Sequence, residues 1–193
     1  MRVRVKTLLR KRSVKFTLLV VTAVIISTAG TTVFFSLPST STVGVAEVPV
    51  HFTSGDDSTA AGYTPGTNET YASLSGLKAY PNVTLTYEQA MNLTNADTGA
   101  HDVRLRHITI APSSGSDSVG NYTQIDFILI DTSGTPRGTL TYTTTGDNWD
   151  IPSSTSYVSI PAGEEWRVQV QTKAVAGAKK SLSCVIEVAV DVE

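Results

Sequence analysis

Apolar and polar side chains alternate with a period of two along most of the second half of the chain. The pattern is clearest in residues 181–193, SLSCVIEVAVDVE, where one face is wholly apolar and the other carries Ser and acidic residues. Successive side chains of a β-strand point to opposite faces, so this segment is predicted to be a half-buried strand. Its apolar face holds Leu182, Cys184, Ile186, Val188, Val190 and Val192, with Ile186 and Val188 expected in the sheet core.

Further strands are predicted upstream, separated by turn signals such as APSSGSDSVGN, TSGTPRG and PAGE. VRLRHITI alternates with a phase break at His107, which predicts a bulge, and TQIDFILID is typical of a central strand covered on both sides. Seven or eight short strands predict an all-β domain over residues 47–193, an antiparallel β-sandwich with jelly-roll or Greek-key connections. The predicted strands are EVPVHF and residues 103–110, 123–131, 138–145, 156–160, 165–172 and 181–193.

Two segments depart from the strand pattern. Residues 53–67, TSGDDSTAAGYTPGT, have turn composition and predict a long loop. TYEQAMNLTN, residues 86–95, has a capping-box pattern from Thr86 to Gln89 and predicts one or two helical turns, the one helix expected outside the N-terminal region.

The N-terminal region has a different pattern. Residues 1–15 carry seven of the fifteen Lys and Arg residues, and residues 16–37 form an uncharged run of twenty-two residues. As a helix this run would be about 33 Å long, enough to cross a bilayer core. The basic flank predicts an N-terminus in the cytoplasm and a surface or extracellular domain after residues 38–46, a small-residue linker.

The fate of the apolar run has three alternatives. It can stay as a membrane anchor, or it can be removed as a signal peptide at Gly44-Val45-Ala46, before Glu47. A prepilin-type cut after Ser13 would instead leave the run as the core helix of a type IV pilin-like filament.

Charge and cysteine content exclude some classes of function. Beyond Pro38 the chain carries eight Lys and Arg residues against seventeen Asp and Glu residues, a formal charge of −9. The one basic cluster is the membrane flank, so a nucleic-acid partner is not expected. Cys184 is the only cysteine, so no intrachain disulfide can form, and a buried free thiol is expected.

Four sequons suggest a glycoprotein. Four of the six asparagines are followed at the second position by Thr, and all four are predicted to lie in or beside loops. On the exported side of a membrane they are expected to accept glycans. The predicted acceptors are Asn68, Asn82, Asn92 and Asn121.

No catalytic, cofactor or metal site is predicted. His51, His101 and His107 lack metal-ligand spacing, and neither a nucleophile elbow nor a phosphate loop is present. Asp147 and Asp150 in GDNWD, and the pair Asp97 and Asp102, offer too few oxygens for calcium unless distant loops converge. Trp149 could stack on a sugar or cap the end of the core.

The C-terminal segment SYVSIPAGEEWRVQVQTKAVAGAKKSLSCVIEVAVDV resembles the ending of the biofilm-fibre family typified by TasA and camelysin, and of the related archaeal bundling pili and threads. Shared features are a strand, IPAG, a long alternating strand, a small-residue turn and a last alternating strand. The resemblance implies a secreted jelly-roll subunit whose N-terminal strand inserts into the next copy, an arrangement called donor-strand exchange.

The segment EVPVHF suits such a strand. Its residues Val48, Val50 and Phe52 share one face, and the segment directly follows the linker. It also contains Pro49, which restricts the strand to an edge of a sheet. The alternative is that the segment is this domain's own first strand, paired at home.

The predicted function is therefore non-enzymatic: a cell-surface structural protein, a subunit of an extracellular filament whose partners are other copies of itself or the cell envelope. One alternative is a membrane-anchored monomeric adhesin or carbohydrate-binding module that uses Trp149 and Tyr157 to bind glycans. The other is the type IV pilin-like subunit.

Overall fold

The computed structural model describes residues 48–112, 119–146, 148–178 and 184–193. The predicted basic segment, apolar run and linker, residues 1–46, lie outside the described residues. Among the described residues, no helix is long and apolar enough to cross a membrane.

Two antiparallel sheets make up nearly all of the described chain. Its elements in order are β1 Val50–Ser54, α1 Ser58–Ala61, β2 Tyr63–Pro65, a 3-10 turn Thr67–Glu69, β3 Tyr71–Leu74, β4 Thr84–Asn95, β5 His101–Pro112, a 3-10 turn Val119–Asn121, β6 Tyr122–Ile130, β7 Pro136–Thr145, β8 Asn148–Asp150, β9 Val158–Ile160, β10 Glu165–Ala174 and β11 Cys184–Val192. The six-stranded sheet has the order β1-β4-β10-β6-β7-β8, and the five-stranded sheet has the order β2-β3-β11-β5-β9.

One hydrophobic core lies between the two sheets. It takes every second side chain of the long strands, including Ile125, Phe127 and Leu129 from β6 and Ile186 and Val188 from β11, all fully buried. His107 on β5 reaches the core side, where its Nδ1 lies 3.0 Å from the Tyr142 hydroxyl of the other sheet. The arrangement confirms the predicted all-β sandwich and the core position of the last strand.

The predicted bulge at His107 is confirmed. Glu187 of β11 faces Thr109, while the next residue, Val188, faces His107, so Ile108 is the extra residue of β5. The bulge reverses which residues of β5 point toward the core and leaves Ile108 partly exposed.

The predicted helix in TYEQAMNLTN is wrong, because these residues belong to β4. Val168 of β10 pairs with Met91, and Val170 pairs with Tyr87. A step of two residues on β10 therefore corresponds to four residues on β4, so β4 contains a bulge with two extra residues. The bulge puts Tyr87, Ala90 and Met91 in the core, at a spacing that imitates a helix.

The prediction of a loop over residues 53–67 is also partly wrong. The segment contains the end of β1, the one-turn helix α1 and the short strand β2. Gly62 ends α1 in the left-handed conformation at φ 67°, which glycine adopts without steric cost. Strands β2, β3 and β8, of three or four residues each, were not predicted.

Candidate functional site: the edge strand β1

Strand β1 lies at the edge of the six-stranded sheet and pairs with β4 alone among the described strands. Its register sets Val50 opposite Asn95, Phe52 opposite Leu93 and Ser54 opposite Met91. Pro49 immediately precedes the strand, as the prediction of an edge strand requires. In this structure the strand is thus paired within its own domain.

The predicted donor-strand face is in part the core face of β1. Val50 and Phe52 are fully buried in the central cluster, and Val48, just before the strand, is half-buried. Burying a Val or Phe side chain is worth about 1.5–3 kcal/mol. Strand β1 is therefore bound to the domain mainly by two side chains and one ladder of backbone hydrogen bonds.

The backbone of β1 also presents an open edge. The Ala96 N–H donates to the Pro49 carbonyl at 2.8 Å, which makes residues 49 and 96 a hydrogen-bonded pair. Such pairs alternate along antiparallel strands, so residues 51 and 53 also bond to β4. The N–H and C=O groups of Val50 and Phe52 accordingly point away from β4, in the direction where a further strand could pair.

A groove of about 710 Å³ runs beside this open edge. Glu69 lies on its rim, 3.9 Å from His51 Nε2. Burial, with a smaller effect of the Glu69 charge, raises the pKa of Tyr63 in the groove to about 12, so its phenol is neutral at ordinary pH. The groove is lined by Phe52, Thr53, Ser54, Ser58, Thr59, Gly62, Tyr63, Pro65 and Glu69.

A carboxylate reaches β1 from two strands away. On the outer face of the sheet, Glu165 of β10 accepts hydrogen bonds from the Thr94 hydroxyl at 3.0 Å and the Asn92 Nδ2 at 3.0 Å, both on β4. The same carboxylate accepts the Thr53 hydroxyl of β1 at 3.4 Å. The Thr53 and Thr94 hydroxyl oxygens lie 3.2 Å apart.

The segment after β1 is fastened to the bulge of β4. The Asp57 N–H donates to the Gln89 carbonyl at 3.0 Å, and the Gln89 N–H donates to Asp57 Oδ2 at 3.2 Å. Gly55 packs directly against the backbone of Gln89. A Cβ atom at position 55 would lie 2.1 Å from the Gln89 carbonyl oxygen, which is too close for any side chain. Sequence patterns did not single out Gly55, Thr53 or Glu165, since their roles depend on pairing between distant strands.

The four sequon asparagines lie in two different environments. Asn68 and Asn82 are exposed at turn positions with φ of 58° and 61°. Asn121 is buried beside β6. The expectation that Asn92 lies in or beside a loop is wrong: it sits within β4, 5% exposed, and its Nδ2 donates to Glu165 and, at 3.4 Å, to the Ser54 carbonyl.

The two aromatic residues considered for sugar binding are both engaged with protein groups. Trp149 on β8 packs against the core, with its ring centroid 6.0 Å from that of Tyr122. Tyr157 is 39% exposed, and the Arg104 guanidinium carbon lies 4.6 Å from its ring centroid. Trp149 thus packs against the core of its own domain from the edge strand β8.

The acidic residues considered for calcium make local hydrogen bonds. Asp97 accepts the Thr98 N–H at 2.7 Å and lies 2.8 Å from His101 Nε2. Asp150 accepts the Thr145 hydroxyl at 2.6 Å, and Asp147 lies outside the described residues. Within the described residues, no three His, Cys, Asp or Glu side chains are grouped so that they could hold a metal ion.

No protein-family model matches the chain, and no curated protein matches it either.

Proposed function

We propose that this protein is an exported, cell-surface structural subunit that forms filaments by donor-strand exchange. In this proposal the sandwich is a jelly roll, and residues 48–55 of one copy occupy the β1 position of the next. The observation that carries the proposal is the place of β1: an edge strand that follows the predicted linker directly and buries two side chains in the core.

The four sheet edges differ in a way that supports exchange at β1. Strands β2, β8 and β9 have three residues each, a length that protects edges from pairing with other chains. Strand β1 has five residues and covers part of β4, which has twelve. If β1 leaves, it uncovers residues 91–95 of this long strand, with unpaired backbone groups and two empty core positions. These features suit capture of an identical strand from another copy.

Exchange would preserve every contact that β1 makes at home, because the incoming strand has the same sequence. The contact joins two different surfaces, the donated strand of one copy and the β4 edge of the other. Repeated head to tail, such a contact does not close and produces a fibre. The acidic balance of the outer part and the sequons fit a solvated surface outside the cell.

Cross-strand disulfides can test the exchange. His51 and Thr94 face each other on the outer side of β1 and β4, at a separation that suits a disulfide. We would prepare His51→Cys and Thr94→Cys as separate chains, each with Cys184→Ala, mix them under assembly conditions and oxidise. Donor-strand exchange predicts interchain dimers between the two variants on a non-reducing gel.

A matched control uses an interior pair. Thr86 of β4 faces Gln171 of β10, and neither strand is exchanged in this proposal. Mixed Thr86→Cys and Gln171→Cys chains should stay monomeric, whereas a doubly substituted chain should form an internal disulfide. Absence of interchain dimers from the His51 and Thr94 mixture in preparations that contain fibres would contradict exchange at β1.

Sequencing the N-terminus of the mature protein separates the proposal from its alternatives. A start near Glu47 supports strand donation, a start at Val14 supports the pilin-like subunit, and intact Met1 supports a membrane-anchored surface protein. Glycan-array binding that is lost in Trp149→Ala with the fold intact would support the carbohydrate-binding alternative.

A further inference from the structure

The core face of β1 does not fix its register on β4. Val48, Val50 and Phe52 occur at every second position, so the shift of two residues that brings Val48 opposite Asn95 still directs apolar side chains into the core, whereas the opposite shift brings Ser54 opposite Leu93. The same shift preserves the alternation of backbone hydrogen bonds. A strand of five residues therefore needs contacts outside the core to dock in one register.

The outer face provides the first such contact. Thr53 is the β1 residue whose hydroxyl meets both the Thr94 hydroxyl, at 3.2 Å, and the Glu165 carboxylate, at 3.4 Å. A shift by two residues in either direction would bring His51 or Gly55 to this position. Gly55 has no side-chain donor, so in that register Glu165 would lose its hydrogen bond to the edge strand, whereas the imidazole of His51 could donate in place of Thr53.

The bulge of β4 provides the second contact. Only a residue without a Cβ atom fits at position 55, because a Cβ there would lie 2.1 Å from the Gln89 carbonyl oxygen. That oxygen is held in place by the Asp57 N–H, at 3.0 Å. A shift by two residues would bring Thr53 or Asp57 to the place of Gly55, and the side chain would collide with the backbone of β4.

We propose that the β4 edge recognises a strand with the pattern Val-x-Phe-Thr-x-Gly, residues 50–55, that the Gln89 carbonyl excludes a shift in either direction, and that Glu165 disfavours the shift that would bring Gly55 beside it. The partner is residues 50–55 of a second copy of this chain. That the strand comes from a second copy rests on the proposed function. The contacts that set the register are the same when β1 pairs with β4 of its own chain.

A disulfide assay in the full chain can measure the register. In a Cys184→Ala background, His51→Cys with Thr94→Cys reports the native register. His51→Cys with Ala96→Cys reports the shift that brings Gly55 beside Glu165, and Pro49→Cys with Thr94→Cys reports the shift that brings His51 there. In the native register both pairs are diagonal neighbours about 7–8 Å apart, too far for a disulfide. The measured quantity is the ratio of the 51–94 yield to the yield of each shifted pair.

Thr53→Val should lower the ratio about tenfold, since it keeps the shape of the side chain and removes the hydroxyl that bonds to a charged group. Glu165→Ala should lower the ratio of the 51–94 yield to the 51–96 yield as well. Thr141→Val, on the outer face of β7, is the matched control and should leave the ratio unchanged. An unchanged ratio in Thr53→Val and Glu165→Ala would overturn the role of the carboxylate.

Gly55→Ala tests the steric contact, with Gly99→Ala as its control, since no atom lies within 4 Å of a Cβ at Gly99. The ratio should fall in Gly55→Ala alone, and an unchanged ratio would overturn the steric role. If Gly55→Ala does not fold, Thr53→Val carries the test. Disulfides found only within single chains would contradict donor-strand exchange. The ratio of native to shifted disulfides would still decide whether these contacts set the register.

Discussion

Phe52 is the residue on which the docking of β1 depends most. Its ring is fully buried at the edge of the core. We expect Phe52→Ala to lower the free energy of unfolding by about 3–5 kcal/mol, because it leaves a cavity and loses buried apolar surface. Urea denaturation followed by circular dichroism measures the change.

Val83→Ala is the control for this variant, because Val83 is 57% exposed. Its free energy of unfolding should change by no more than about 0.5 kcal/mol. Equal effects of the two substitutions would show that Phe52 does not pack as described.

His107 links the two sheets through Tyr142 and should make stability depend on pH. Burial, aided by the positive charge of Arg106, lowers the pKa of His107. The unfolded chain binds a proton at this residue more readily than the folded one, so stability should fall as the pH drops below about 6.5. Replacing His107 by Asn removes the titration and should flatten this part of the stability curve, measured by urea denaturation between pH 5 and 8. Parallel curves for the two proteins would exclude the residue as the cause.

The sequons should differ in occupancy according to their environment. If the protein is glycosylated, glycopeptide mass spectrometry should find glycans on Asn68 and Asn82 and none on Asn92. A glycan would replace one of the two hydrogens on Asn92 Nδ2, so that its hydrogen bonds to Glu165 and Ser54 could not both remain, and the sugar would have to fit in the middle of a sheet. Full occupancy of Asn92 in the folded protein would require a different pairing of β1 and β4.

At the scale of elements, the sequence predicted the long strands well because their inward residues alternate without interruption. Residues 123–131 and the last strand are examples, with Ile125, Phe127 and Ile186 fully buried. Strand β4 was missed because its two-residue bulge shifts the phase, and Tyr87, Ala90 and Met91 then follow helical spacing. The site around β1 was predicted only on its apolar face, since contacts with Glu165 and Gln89 depend on strands distant in sequence.

Strand β4 ends on a buried amide that joins three segments. Asn95 is fully buried, and the two N–H groups of its Nδ2 are shared among the carbonyl oxygens of Gly99, Ile160 and Pro161, which lie 2.9, 3.2 and 2.9 Å from the nitrogen. The IPAG sequence, which begins at the last residue of β9, is thereby held against β4.

Asn95→Asp should reduce the free energy of unfolding by at least about 1–3 kcal/mol, because a carboxylate would face three carbonyl oxygens without a donor. Thermal denaturation measures the loss. The exposed Asn148 serves as control, and Asn148→Asp should leave the melting temperature nearly unchanged. A similar melting temperature for both variants would argue against the anchoring role of Asn95.

At the scale of the whole molecule, Cys184 reports on the integrity of the sandwich. It is fully buried between the sheets, and burial raises its thiol pKa to about 11. The native protein should therefore react very slowly with Ellman's reagent at pH 8, because little thiolate forms and the reagent cannot enter. Reaction should become fast in guanidinium chloride at the concentration where circular dichroism shows unfolding. Rapid labelling without denaturant would contradict the closed core.

The home pairing of β1 also bears on how fast filaments would appear. If subunits exchange strands, a subunit whose own β1 already occupies its place beside β4 would inhibit its own polymerisation. Growth would have to wait for the strand to detach, an event inside one molecule, so the lag time should vary little with protein concentration and shorten in mild denaturant.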